Sequence, residues 1–184
     1  MAEGQETWLK RLVLAFKRCQ KDLEGSGALD LEVYVDAACL IQDAFGYLGS
    51  VFEFAKSDLV TKEAQLRKSC ENAKPGRLTV REAVTTDFNE GRAKAGSSNS
   101  RTLHRVTNSV KFLHVLLEDL VREGNNDHLR VSAQKAYKAS LEYYLAWAVK
   151  KAVGVGLYLV PSRDKFIKRI GETESSARAL ATEL

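Results

Sequence analysis

Ser100–Arg122 reads SRTLHRVTNSVKFLHVLLEDLVR. Leu103, Val106, Val110, Leu113, Leu117 and Leu120 recur at steps of three and four, the spacing of one helical stripe. Phe112 and Leu116 belong to a second apolar face, and its extension runs back through Ser109 to Arg105. A helix with two apolar faces lies between layers of other helices. The same spacing recurs along most of the chain, and no period-2 strand emerges. The stretch therefore sets the expectation of an all-α, layered domain.

Toward the N-terminus, Thr7–Leu23 reads as a helix stopped by Gly25-Ser26-Gly27. Asp30 is an N-cap for a second helix with the stripe Tyr34, Ala37, Ile41, Phe45, Leu48 and Phe52, continuing across a kink to about Cys70. Gly46 and Gly49 within it are expected to admit a close neighbour. Lys74-Pro75-Gly76 is a turn, and Thr79-Val80-Arg81-Glu82 is a capping box that opens a shorter helix. The loop Gly96–Asn99 supplies caps for the central helix. Gly124-Asn125-Asn126-Asp127 is a turn, followed by one long helix to about Leu159 that Pro161 ends. Ser162 caps a last helix.

The chain has 184 residues, 45% of them apolar, which suits one domain spanning residues 1–184. Lys+Arg 28 against Asp+Glu 24 leaves a net charge of +4, with basic and acidic residues interleaved, so no nucleic-acid footprint is present. Three widely spaced cysteines without a CxxC, and three scattered histidines, support neither a disulfide framework nor a metal site. No Ser/His/Asp set, HExxH or P-loop is visible, so neither catalysis nor a cofactor is expected. The polar, acidic Met1–Glu6 does not resemble a signal peptide. The longest apolar run, Ala152–Val160, is about half the ~18 residues of a membrane span. The expectation is a soluble, cytoplasmic protein.

Three groups of residues interrupt this pattern. Asp58 and Lys62 extend the stripe of Leu48, Val51 and Ala55, either as an ordinary i,i+4 surface pair or as a charged rim of the core. Arg101 and Arg105 sit one turn apart at the start of the central helix. They are either two surface arginines or a guanidinium fork for a phosphate or carboxylate. Tyr143-Tyr144-Leu145-Ala146-Trp147, with Lys150, Lys151 and Tyr158, suits a membrane interface or a buried helix end.

VFEFAKSDLVTK, SNSRTLHRV and YYLAWAVKKAVGVGLYLVPSR, in this order, resemble the glycolipid transfer protein family and, within it, the ceramide 1-phosphate branch. The resemblance spans about Lys10–Lys168 and implies a two-layer helical sandwich enclosing an apolar lipid pocket. It implies a headgroup site of Asp58, Lys62, Arg101 and Arg105, with Asp58 accepting from the sphingoid amide N–H and the cations meeting the phosphate. Arg101 stands where glycolipid binders carry a sugar-stacking tryptophan. Trp147, with Lys150, Lys151 and Tyr158, is the implied membrane contact. The family's His-Gly-Trp is here Leu145-Ala146-Trp147, so the donor to the lipid amide carbonyl is lost, and that carbonyl must find water, find a nearby group such as Tyr144, or remain unpaired.

Core or lipid sleeve is assigned to Phe45, Leu48, Phe52, Val106, Val110, Leu113 and Leu141. The expected function is transfer of a phosphate-headed sphingolipid between membranes by a monomer that touches the bilayer transiently. The alternative is a lipid-binding sensor that scarcely moves its ligand.

Overall fold

The computed structural model of the protein describes residues 6–122 and 128–184, and the turn expected at Gly124–Asp127 lies outside them. Helix α1 (Trp8–Ser26) starts at Thr7, whose side chain accepts from the Lys10 backbone N–H. It runs through Gly25 rather than stopping before it, and ends at Gly27. Asp30 caps α2 (Leu31–Cys39) by accepting from the Glu32 and Val33 N–H groups. The following stretch is α3 (Ile41–Leu48), a 3₁₀ turn at Ser50–Phe52, and α4 (Glu53–Ala73). Thr79 and Glu82 form the expected reciprocal capping box of α5 (Val80–Asn89). The central helix is α6 (Asn99–Val121), capped by Ser98.

After it the expected single long helix is broken. It comprises α7 (Leu129–Ser140), a 3₁₀ turn at Glu142–Tyr144, α8 (Trp147–Gly156) and a further 3₁₀ turn at Leu157–Leu159. Leu145 and Ala146 are extended, at φ/ψ of −88°/146° and −63°/149°. A 3₁₀ turn keeps apolar residues three apart, so the break leaves the spacing of Tyr137, Leu141 and Tyr144 untouched. The expected last helix is two, α9 (Arg163–Arg169) and α10 (Glu174–Thr182), separated at Gly171.

Helix α6 lies where the layers meet, packing against α3, α4, α5, α7 and α10, while α2 is held between α1 and α4. Among the described residues no strand forms; Asp30 and Thr79 make an isolated bridge. Phe45, Phe52 and Phe112 bring α3, the 3₁₀ turn and α6 together, with ring centroids 5.0–6.0 Å apart. Leu48, Val106, Leu113 and Leu141 are buried with them. Val110 is half-buried and, with Leu113, lines an apolar cleft of about 360 Å³ between α1, α6 and the C-terminal residues.

The glycine expectation needs correction. A Cβ on Gly49 would meet nothing within 4 Å, and one on Gly46 only the tip of Lys56. Gly49 has φ +100°, so it serves to turn the chain between α3 and α4. Close approach occurs instead at Gly156, where a Cβ would stand 2.5 Å from Val51 Cγ2. That contact seats α8 on the Ser50–Phe52 turn.

Candidate functional site

Helices α4 and α6 present the two charged pairs to each other. Arg105 Nε and Nη2 donate to Asp58 Oδ2 at 3.2 and 3.0 Å. The side chains remain 22% and 33% exposed, so the pair stands at a rim rather than in the core. Asp58 Oδ1 and Arg105 Nη1 take part in none of these bonds.

One turn along α4, Lys62 Nζ donates to Gln65 Oε1 at 3.4 Å, and Thr102 Oγ1 of α6 donates to the same oxygen at 3.2 Å. Arg101 is exposed and its Nη1 donates to the Lys94 carbonyl at 3.1 Å, tethering it to the loop after α5. That loop is anchored by fully buried Asp87, which accepts from the Ser100 N–H at 2.7 Å and meets Arg92 Nε at 3.2 Å. Among the described residues neither Lys62 nor Arg101 has a carboxylate within 4 Å. The structure thus joins Asp58 to Arg105 directly, links Lys62 to α6 through Gln65, and leaves Arg101 on the outer edge.

The tyrosines divide from Trp147. Arg105 lies over the Tyr144 ring, 3.8 Å from its centroid. Burial pushes the Tyr144 phenol above its ordinary value, against the pull of Arg105. The Tyr143 hydroxyl lies 2.6 Å from His104 Nε2 and accepts from Asn108 Nδ2 at 2.6 Å. His104, Asn108, Gln65 and Asp87 were not singled out from the sequence. The i,i+4 spacing of His104 and Asn108 beside the arginines was the available signal. Leu145 is half-buried against the core, in the extended break rather than on a helix.

The opposite arm, α8 and the turn after it, is apolar and open. Trp147, Val155, Tyr158 and Leu159 are 68–75% exposed. Lys151 Nζ stands 4.0 Å from the Trp147 ring and Arg130 4.3 Å from the Tyr158 ring, while Lys150 is half-buried. A cleft of about 430 Å³ runs between this arm and Ser50–Phe54. Among the described residues no helix is long and apolar enough to cross a membrane, and no His/Cys/Asp/Glu group is disposed to hold a metal ion.

A half-buried Asp–Arg pair and two cations without a carboxylate partner thus lie along α4 and α6, and an exposed apolar arm follows from α8. A family model described as Glycolipid transfer protein (GLTP) matches residues 29–172, most of the chain. The chain belongs to the glycolipid transfer protein family. Accelerated cell death 11 of Arabidopsis thaliana is 25% identical over 171 residues, covering 92% of this chain and 81% of that protein. The ceramide-1-phosphate transfer protein of Bos taurus is 26% identical over 181 residues, covering 94% and 83%.

A mutant of Arabidopsis accelerated-cell-death 11, solved with C12 ceramide-1-phosphate, superposes with TM-score 0.86 at 23% identity, covering 98% of this chain and 88% of that one. The human ceramide-1-phosphate transfer protein, solved with 12:0 ceramide-1-phosphate, superposes with TM-score 0.79 at 22% identity, covering 95% and 86%. The fold of this chain is that of the glycolipid transfer protein family, a family of transfer proteins rather than enzymes.

Proposed function

We propose that this chain carries ceramide 1-phosphate or a close phosphate-headed sphingolipid between membranes, as one domain spanning residues 1–184. The observation that carries the reading is the rim of Asp58, Lys62, Arg101 and Arg105, where Lys62 and Arg101 have no carboxylate partner and Arg105 keeps Nη1 unused. A phosphate monoester bears about −1.5 to −2 charge and three acceptor oxygens, which matches three cations better than one. Asp58 Oδ1 remains an acceptor for an amide N–H beside that phosphate. Crystal structures of relatives with ceramide-1-phosphate support the substrate class.

The lipid chains enter an apolar sleeve to which Val110 and Leu113 contribute, each buried methylene gaining about 0.8 kcal/mol. Trp147, Tyr158, Lys150 and Lys151 rest on the bilayer while the lipid moves, the rings at headgroup depth and the cations toward anionic lipid. The protein works as a monomer in the cytoplasm and meets membranes transiently. Native mass spectrometry of the purified chain equilibrated with ceramide 1-phosphate and galactosylceramide tests the ligand. One ceramide 1-phosphate per chain is expected. Equal occupancy by the neutral glycolipid would overturn the phosphate reading.

A further inference from the structure

Arg101 is gripped at its backbone and at its guanidinium by the same loop, residues 90–98. Its N–H donates to Ser98 Oγ at 3.1 Å, and its Nη1 donates to the Lys94 carbonyl at 3.1 Å. The loop is closed on itself. The Ala95 N–H donates to the Arg92 carbonyl at 2.8 Å, and the Ser98 hydroxyl lies 2.9 Å from both the Ala93 and the Ala95 carbonyls.

Asp87 of α5 fastens this loop. Its backbone carbonyl accepts from the Arg92 N–H at 2.9 Å, its Oδ1 meets Arg92 Nε at 3.2 Å, and its Oδ2 accepts from the Ser100 N–H at 2.7 Å. The side chain is fully buried. A carboxylate is costly to bury unless it is paired and hydrogen-bonded, and capping alone does not call for one here, because Ser98 already caps α6. What Asp87 adds is a joint between the loop and the first turn of the helix that carries Arg101.

We propose that Asp87 is a positioning residue for headgroup recognition: by joining the loop to α6 it fixes the Lys94 carbonyl, and through it the Arg101 guanidinium, before a phosphate arrives. The inference rests on the phosphate-headed-lipid reading above and names the buried group that sets one of its cations. An exposed arginine has large rotamer freedom, and ordering it on binding subtracts from affinity. A carbonyl held in place removes part of that freedom beforehand. It engages Nη1 alone, so Arg101 Nε and Nη2 keep their N–H groups for an ionised oxygen.

A double-mutant cycle in ceramide 1-phosphate binding tests the joint. Asp87→Asn is nearly isosteric: its amide oxygen still accepts from the Ser100 N–H, but its NH2 then faces Arg92 Nε, donor against donor. Arg92→Ala cuts the same joint from the exposed side, where folding is least at risk. Each should weaken binding about three- to tenfold with a cooperative melt retained, the range spanned by ordering one long side chain. Neither should weaken it further in an Arg101→Ala chain, whereas a purely structural role would lose the same factor in both backgrounds. Unchanged affinity in the cooperatively melting single variants, or an equal loss with Arg101 already removed, overturns the inference. If the wild-type chain does not bind ceramide 1-phosphate, the proposed function falls and this inference with it. If the wild type binds, Arg101→Ala weakens binding and the coupling is absent, only this inference falls.

Discussion

Arg105→Ala separates folding from ligand binding with usable magnitudes. In the free protein the change removes two hydrogen bonds to Asp58, at 3.0 and 3.2 Å, and the stack on Tyr144. The pair is a fifth to a third exposed, so it contributes at most about 1 kcal/mol after screening. The cation–π contact contributes about 0.5–1 kcal/mol more. A loss of about 1–2 kcal/mol lowers Tm by roughly 2–8 °C in a chain this size. Binding loses more, because an interaction with a charged group is worth about 1.5–3 kcal/mol, or roughly ten- to 150-fold in Kd. Arg105→Lys should recover only part of that, since an ammonium lacks the planar fork. Arg101→Ala should weaken binding similarly with Tm almost unmoved, because Arg101 is exposed and holds only the Lys94 carbonyl. The assay is ceramide 1-phosphate binding alongside a circular-dichroism melt of each variant. Wild-type affinity in cooperatively melting Arg105→Ala and Arg101→Ala chains would reduce both arginines to surface structure and remove them from the headgroup site.

Glu63, 3% exposed, accepts from Gln42 and Cys39 through Oε2 while Oε1 has no partner. Burial raises its carboxyl above the ordinary value, so the fold holds the proton more tightly than the unfolded chain; stability is gained as pH falls through the folded pKa, until the unfolded carboxyl protonates near about 4.3. Glu63→Gln should therefore have the higher Tm at pH 7.5 and lose that advantage toward pH 5, and a gap constant with pH would contradict this. Gly156→Ala should lower Tm by several degrees, since overpacking costs about 1–3 kcal/mol, and Val51→Ala in the same chain should restore part of it; additive losses would refute the contact. Leu145→His should raise affinity for ceramide 1-phosphate about tenfold and leave phosphatidic acid little changed. Equal effects on both lipids would remove Leu145 from the amide site.

The helical class and the starts of five helices were legible because capping is local. Thr7, Asp30, Thr79, Ser98 and Ser162 each cap the helix that their side chains suggest. The broken stretch around Leu145 was not, because a 3₁₀ turn and two extended residues leave apolar spacing intact. The nearness of Asp58 to Arg105 was legible only through a family resemblance. Each pair shows its own i,i+4 spacing, but their meeting depends on how α4 packs on α6. Tyr144 was read with its aromatic neighbours as one cluster. Only the fold separates a ring under Arg105 from Trp147 on the surface, and only the packing of the Glu142–Tyr144 turn on α6 brings Tyr143 to Asn108.

Vesicle-to-vesicle transfer of fluorescent ceramide 1-phosphate, measured beside galactosylceramide, tests the central claim most directly. Transfer of the phosphate-headed lipid well above its spontaneous rate is expected, with little movement of the neutral glycolipid, to which Arg101 offers no flat aromatic face. Tight binding of ceramide 1-phosphate with no transfer above the spontaneous rate would contradict the carrier function and leave a lipid sensor in its place.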